Sequence, residues 1–139
     1  MGKIVRLASA GVVALLVGCS ALSASVAESE RAGGLPAEAI TATPGPQSKT
    51  PSYPEAGWLD GGAKFALVLS GSSTCPSFPS SIEVIDMHHM KIGVSTHGGS
   101  KCSADIAPRT YVIRTPGSVD TSREVTLQYG ETSVLLPPL

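Results

Sequence analysis

Four consecutive residues, Met87-His88-His89-Met90, form the group of side chains best suited to metal chemistry, and His97 follows seven residues after them. Imidazole and thioether groups suit Cu(I) and Cu(II), and neutral imidazole is the form that binds a metal. One hypothesis is therefore a copper site formed by His88, His89 and at least one of Met87 and Met90. We favour the other interpretation, a plain hairpin connection, because the sequence offers no framework of groups to orient the imidazoles.

Hydroxyl and thiol side chains show no recognisable catalytic pattern. Ser72 and Ser73 lie in a Gly-Ser-Ser sequence, but the Gly-x-Ser-x-Gly and Ser-x-x-Lys patterns of serine-dependent enzymes do not occur in the chain. Cys75 lacks the neighbouring cysteine or basic residues that activate a thiol. Asp105 follows Cys102 by three residues, and we expect it to accept backbone hydrogen bonds and fix a turn. A role as general base or ligand is the alternative for Asp105, but no second acid stands at a suitable spacing. We therefore expect no enzymatic activity.

The composition excludes several classes of protein. Of 139 residues, only 15% are charged and 4% are aromatic, whereas Gly (15) and Pro (11) are frequent. Coiled coils and long helical bundles need far more Glu, Lys, Arg and Leu. Ten basic and eleven acidic residues give a formal net charge of −1, which does not suit a nucleic-acid-binding surface with clustered Lys and Arg.

The N-terminal residues are typical of an export signal. A short basic region precedes an apolar run of eleven residues from Leu7 to Val17, which is too short to span a bilayer. The run ends in Leu16-Val17-Gly18-Cys19, which resembles the bacterial lipobox. The sequence therefore predicts a lipoprotein signal peptide over residues 1–18, removed when Cys19 is acylated. Ordinary secretion with cleavage after Ala27 is the alternative.

The number of cysteines supports the lipoprotein interpretation. Three cysteines are an odd number for an exported protein, and an odd cysteine needs an explanation. If Cys19 carries the lipid, Cys75 and Cys102 remain as an even pair in a compartment where disulfides persist. We expect a Cys75–Cys102 bridge that joins the loop after one strand to the loop before another, with two free thiols as the alternative.

Residues 19–54 are predicted to be a lipid-anchored, disordered linker. Ala, Ser, Thr, Glu, Gly and Pro dominate this stretch, and nothing in it can bury a face. A flexible chain of this length spans about 30–35 Å, which would hold a domain clear of the lipid headgroups. After removal of Lys3 and Arg6, eight basic and eleven acidic residues leave a net charge of −3. Membrane lipid, reached through acylated Cys19, is thus the expected attachment, with no nucleic-acid partner.

Residues 55–139 are predicted to form an extracytoplasmic β domain. Apolar and polar residues alternate in short runs separated by turn residues, which is typical of a small antiparallel β-sandwich or a partly open barrel. Six or seven strands are expected. The runs lie at 57–59, 64–70, 82–86, 92–95, 110–114, 124–129 and 133–136.

The sequence around the last two cysteines resembles a known group. Gly71-Ser72-Ser73-Thr74-Cys75-Pro76, together with Cys102 to Pro108 and Thr110-Tyr111, looks like a pattern in small lipoproteins of high-GC Gram-positive bacteria. Trp58 before the first long strand and the residues from Pro116 to Asp120 match further parts of that pattern. This group is largely uncharacterised, so the resemblance implies a membrane location and a β fold without an activity.

We therefore expect a membrane-anchored extracytoplasmic lipoprotein with a non-catalytic binding or structural domain. The alternative is an extracytoplasmic copper-binding lipoprotein that uses the loop from Met87 to Met90. Trp58 and Phe78 stand outside the strand alternation, so either could mark a binding face.

Overall fold

The computed structural model describes residues 24–48 and 55–139. The predicted signal peptide and Cys19 lie outside these described residues. Within them the chain forms ten strands and one 3-10 turn (Asp60–Gly62), and no helix there is long and apolar enough to cross a membrane. The strands are β1 (Ser29–Ala32), β2 (Ile40–Thr41), β3 (Thr43–Pro44), β4 (Ala56–Leu59), β5 (Lys64–Gly71), β6 (Ser77–Asp86), β7 (His89–Thr96), β8 (Ala107–Arg114), β9 (Val125–Tyr129) and β10 (Thr132–Leu136).

The strands form two sheets of five strands each. Sheet A has the order β1-β8-β5-β4-β2, and sheet B has the order β3-β10-β9-β7-β6. Neighbouring strands are antiparallel except β7 and β9, which are parallel because the chain leaves sheet B after β7 and returns to it through β8 of sheet A. The sheets do not close into a barrel. The predicted all-β sandwich is confirmed, and seven strands lie between residues 55 and 139 as expected.

The core lies between the two sheets. Phe65, Leu67 and Leu69 of β5 belong to the same buried cluster as Val125 and Leu127 of β9. This spacing of two residues is what a strand with one face in a core requires. Burying each such aliphatic or aromatic side chain stabilises the fold by about 1.5–3 kcal/mol.

Trp58 and Phe78 are core residues as well, with exposed fractions of only 1% and 2%. Trp58 packs edge-on against Phe65 with ring centroids 6.4 Å apart, and its Nε1–H donates a hydrogen bond to the carbonyl oxygen of Pro137 at 2.7 Å. The possibility that either ring marks a binding face is therefore excluded, because neither ring is available at the surface.

Three short strands come from the stretch predicted to be a disordered linker. β1 and β2 form the two edges of sheet A, and β3 forms one edge of sheet B. For these strands the prediction of disorder is wrong. All their residues are exposed, and β1 is held by backbone pairing with β8 and by ion pairs such as Arg109–Glu30 at 2.8 Å. Strands that bury no side chains leave no hydrophobic period in the sequence.

Residues 33–39, here called the strap, connect β1 to β2 across the outer face of sheet A. At the β1 end, the Gly33 N–H donates to the Pro108 carbonyl oxygen at 2.9 Å, and the Thr110 hydroxyl donates to the Gly33 carbonyl oxygen at 2.8 Å. The strap explains why Ala66 and Val68 are buried although they lie on the face of β5 opposite to the core.

The predicted Cys75–Cys102 disulfide is confirmed. Its Cα atoms are 5.4 Å apart, and it joins the β5–β6 loop to the β7–β8 loop as expected. The bridge therefore ties one end of sheet A to the same end of sheet B.

Candidate functional site

The loop from Met87 to Met90 is the tip of the β6–β7 hairpin. Met87 and His88 form the turn, and His89 and Met90 begin β7. Met87 is 59% exposed, whereas Met90 has no exposed surface and belongs to the core. Because successive residues of a strand point to opposite faces, Met90 is directed away from His89 and into the sandwich.

The two histidines of this tip have different surroundings. His88 Nε2 lies 3.3 Å from Asp120 Oδ2. Hydrogen bonds from the hydroxyl and backbone N–H of Ser122, and a weaker one from His88, lower the pKa of Asp120 below its usual value. His89 Nε2 is buried and has no hydrogen-bond partner among the described residues.

His97 lies at the opposite end of β7 from this tip. Its ring stacks on Phe78 with centroids 3.8 Å apart, and it is not grouped with His88 or His89. Over residues 24–48 and 55–139, no three His, Cys, Asp or Glu side chains are placed so that they could hold a metal ion. The copper hypothesis stays a prediction, and Met90 is not accessible as one of its ligands.

A hydroxyl cluster (Ser72, Ser73, Thr74, Ser103 and Asp105) links the two loops beside the disulfide. Asp105 Oδ1 accepts a hydrogen bond from the Ser73 backbone N–H at 3.1 Å and a short one from the Ser103 hydroxyl. The Ser103 hydroxyl also contacts the Ser72 hydroxyl at 2.7 Å. Asp105 thus accepts a backbone hydrogen bond as expected, but its donor is Ser73, 32 residues away, so the bond joins two loops and does not fix a turn.

The hydrogen bonds of the hydroxyl cluster lower the pKa of Asp105. The Ser103 hydroxyl, the Ser73 hydroxyl and the Ser73 backbone N–H stabilise the carboxylate and lower the pKa of Asp105 to about 2. A carboxylate with so low a pKa is a weak base at neutral pH. Among the described residues, no histidine ring is hydrogen-bonded to these hydroxyls.

An apolar cleft lies between the strap and sheet A, and we call it the strap cleft. Its volume is about 410 Å³. Residues 34–37 and Ala39 line it from the strap, and Thr41, Val68 and Pro108 line it from strands of sheet A. None of these residues is charged. A second, polar cleft of about 490 Å³ lies between residues 46–48 and the β9–β10 turn.

Sequence reasoning missed the strap cleft. The only signal was a short apolar stretch, Leu35-Pro36-Ala37, within a segment that is otherwise polar. A run of three residues has no period from which a partner surface could be inferred. The cleft exists because this stretch lies over the outer face of β5, which only the fold reveals.

The geometry defines a two-sheet β domain with a hydroxyl cluster, a histidine-containing hairpin tip and an apolar cleft. No protein-family model, curated protein or solved structure matches the chain.

Proposed function

We propose that this chain is an extracytoplasmic lipoprotein, attached to the membrane through acylated Cys19, whose β-sandwich is a non-catalytic binding domain. The observation that carries this proposal is the Cys75–Cys102 disulfide. It pairs two of the three cysteines, so Cys19 is the one whose presence a lipid anchor would explain. Disulfides are typical of compartments outside the cytoplasm, where lipoproteins are displayed.

The proposed anchor would hold the domain close to the lipid. Cys19 precedes Val26 by seven residues, and the Val26 N–H donates to the Pro79 carbonyl oxygen at 2.9 Å. Seven residues span at most about 25 Å when fully extended. The spacing of about 30–35 Å expected from a linker reaching residue 54 therefore does not apply, and a domain anchored at Cys19 would lie at the membrane surface.

The described side chains support a binding role over a catalytic one. Three of the basic side chains on sheet A are paired with acidic ones, as in Arg114–Glu28 at 2.6 Å and Lys64–Glu28 at 3.5 Å. The carboxylate in the hydroxyl cluster, Asp105, is a weak base because hydrogen bonds lower its pKa to about 2. The strap cleft, by contrast, has the volume and the apolar lining of a ligand site.

The first prediction tests the anchor with Cys19→Ser. Wild-type protein should take up a labelled fatty acid in growing cells and sediment with the membranes, because two or three acyl chains bind a bilayer firmly. The Cys19→Ser variant should lose essentially all of the label and be released or remain unprocessed. Scintillation counting or in-gel fluorescence of the membrane and soluble fractions measures this.

Ser20→Ala is the matched control, since it changes the neighbouring residue and leaves the proposed acylation site intact. The mass of the mature N-terminus separates the alternatives, because ordinary secretion would produce a chain that begins at Glu28. Label and membrane attachment retained by Cys19→Ser would contradict the proposal. So would an unmodified mature chain starting at Glu28.

A further inference from the structure

We propose that the strap cleft binds one medium-chain fatty acid, with the aliphatic tail lying across sheet A and the carboxylate held by Arg31. This inference deepens the proposed binding function, since it names the ligand class of the domain. It is independent of acylation at Cys19, so it can fail or succeed without the anchor.

The shape of the strap cleft fits an extended chain. Its lining runs from Pro108 on β8, past Val68 on β5, to Thr41 on β2, which is three strand spacings across the sheet. At about 4.8 Å per spacing this length is about 14 Å, which suits an aliphatic chain lying extended across the strands.

The lining chemistry fits the tail of such a molecule. The side chain of Thr41 is the only one in the lining with a polar atom, and the strap side is Leu, Pro, Ala and Gly. A Cβ atom added at Gly34 would meet nothing within 4 Å, so the strap leaves space there that its own side chains do not fill. Apolar surface of this kind is covered favourably by methylene groups.

A positive charge at one end of the cleft fits the head of the molecule. Arg31 Nη2 donates to the carbonyl oxygen of Gly34, a residue of the cleft lining, at 3.2 Å. Arg31 forms no ion pair with any residue the structure describes, whereas its neighbour Arg109 is paired with Glu30. A guanidinium group presents several donors in one plane, which matches a carboxylate.

Both ends of the strap over the cleft are fixed to sheet A. Its β1 end is fixed by the hydrogen bonds between Gly33 and β8, and its β2 end by the pairing of Ile40 with Trp58 and of Thr41 with Gly57. Because both ends are held by the sheet, binding does not require the strap to become ordered. A site that is already formed loses less entropy on binding.

Dodecanoate is the probe for this site, titrated by calorimetry into the full chain carrying Cys19→Ser, so that no acyl group of the anchor competes. We expect saturable binding of one molecule per chain. Dodecanol, which has the same tail and no charge, should bind about tenfold more weakly, because it cannot form the charge-assisted contact with Arg31. Vesicles of phosphatidylglycerol and phosphatidylethanolamine test whether the acyl chains of membrane lipids are the source, and we expect no cleft-dependent binding to them.

Paired variants locate the site. Val68→Phe adds volume to the floor of the cleft and should weaken dodecanoate binding at least tenfold, whereas Val112→Phe, on the same face of sheet A and outside the cleft, should leave it unchanged. Ala37→Trp fills the cleft from the exposed side of the strap and repeats the test if Val68→Phe impairs folding.

Arg31→Gln should lower the affinity for dodecanoate about tenfold and leave dodecanol binding unaltered, with Arg114→Gln as its control.

Several outcomes would overturn the proposal. Absence of saturable dodecanoate binding to the folded chain is one. Equal binding by the cleft-filling variants and by Val112→Phe is another, because the molecule would then bind elsewhere. Stronger cleft-dependent binding to vesicles than to free dodecanoate would replace the fatty acid with a membrane lipid. The proposed anchor is tested separately. If wild-type protein still takes up the labelled fatty acid at Cys19, the anchor remains supported whichever of these results is obtained.

Discussion

Asp105 illustrates at the scale of single residues how a carboxylate holds two loops together. It accepts hydrogen bonds from Ser73 and Ser103, which lie on opposite sides of the disulfide in sequence. The local role of Asp105 could be predicted, because carboxylates near turns commonly accept backbone N–H bonds. Its partners could not be, because Ser73 is separated from it by more than thirty residues.

The depressed pKa of Asp105 leads to the third prediction. A group whose pKa is lower in the folded state than in the unfolded state stabilises the fold above the unfolded value, and this contribution disappears as the pH falls through the folded value. Since the pKa falls from 3.8 to about 2 on folding, the loss occurs between about pH 4 and pH 2. The unfolding temperature of the wild type should therefore drop more over this interval than that of Asp105→Asn, by a few degrees.

Circular dichroism melts at half-unit pH intervals measure the effect. Glu83→Gln is the control, because Glu83 is an exposed carboxylate on β6 outside the hydroxyl cluster. If Asp105→Asn and the wild type lost stability in parallel between pH 4 and pH 2, the hydroxyl cluster would not contribute to the fold in solution.

The different burial of Met87 and Met90 is a detail that could not be predicted from the sequence. Both residues stand in the same four-residue motif, but Met87 is exposed and Met90 is in the core. The distinction depends on where the hairpin turns, because the alternation of faces begins at the first residue after the turn. With the turn at Met87 and His88, Met90 points inward, and a turn one residue later would have reversed this arrangement.

At the scale of elements, burial decided which strands could be predicted. The seven strands from β4 to β10 contribute side chains to the core, and for most of them the resulting alternation is visible in the sequence. The first half of β6, which contains buried Phe78, is an exception. The strands β1, β2 and β3 contribute only backbone hydrogen bonds and exposed side chains. The parallel pairing of β7 with β9 was also not predictable, because the order of strands depends on contacts distant in sequence.

The fourth prediction concerns the disulfide between the β5–β6 and β7–β8 loops. Cys75 and Cys102 are 27 residues apart, and closing a loop of this length stabilises a fold by about 3–4 kcal/mol in the chain-entropy model. Cys102→Ala should therefore lower the unfolding temperature by about 10–20 °C. Differential scanning calorimetry measures the shift.

Two controls isolate the contribution of the bond. Wild-type protein in a reducing agent should approach the unfolding temperature of Cys102→Ala, whereas the variant itself should not respond to the reductant. Mass spectrometry without reduction should recover the Cys75 and Cys102 peptides as one linked species. Free thiols on both residues in the exported protein would show that the bond does not form in the cell.

At the scale of the whole molecule, residues 24–48 cover edges of both sheets. Residues 24–48 supply three of the four edge strands of the described sheets and, through the strap, cover the outer face of sheet A. The remaining edge, β6, carries Glu83, Asp86 and two register irregularities. Short, charged and irregular edges prevent strands of different molecules from pairing. Residues 24–48 thus cover three sheet edges and part of the outer face of sheet A.

The fifth prediction follows from this arrangement. A chain that begins at Glu55 would expose the free edges of β8, β4 and β10, and it would uncover Ala66 and Val68 on the outer face of sheet A. Because unpaired edges and bare apolar surface favour association between chains, this truncated chain should self-associate with rising concentration. The full chain carrying Cys19→Ser is the reference, and sedimentation velocity measures both species.

The double variant Glu28→Gln/Glu30→Gln separates edge coverage from surface charge. It removes the ion pairs to Arg114 and Arg109 but keeps the backbone pairing of β1 with β8. Because exposed ion pairs contribute little to stability, this variant should sediment as the reference does, with only slightly lower stability. A truncated chain that sedimented as the reference does and melted at the same temperature would show that residues 24–48 do not protect the sheets. Self-association of the double variant would instead assign the protection to charge, because its edges remain covered.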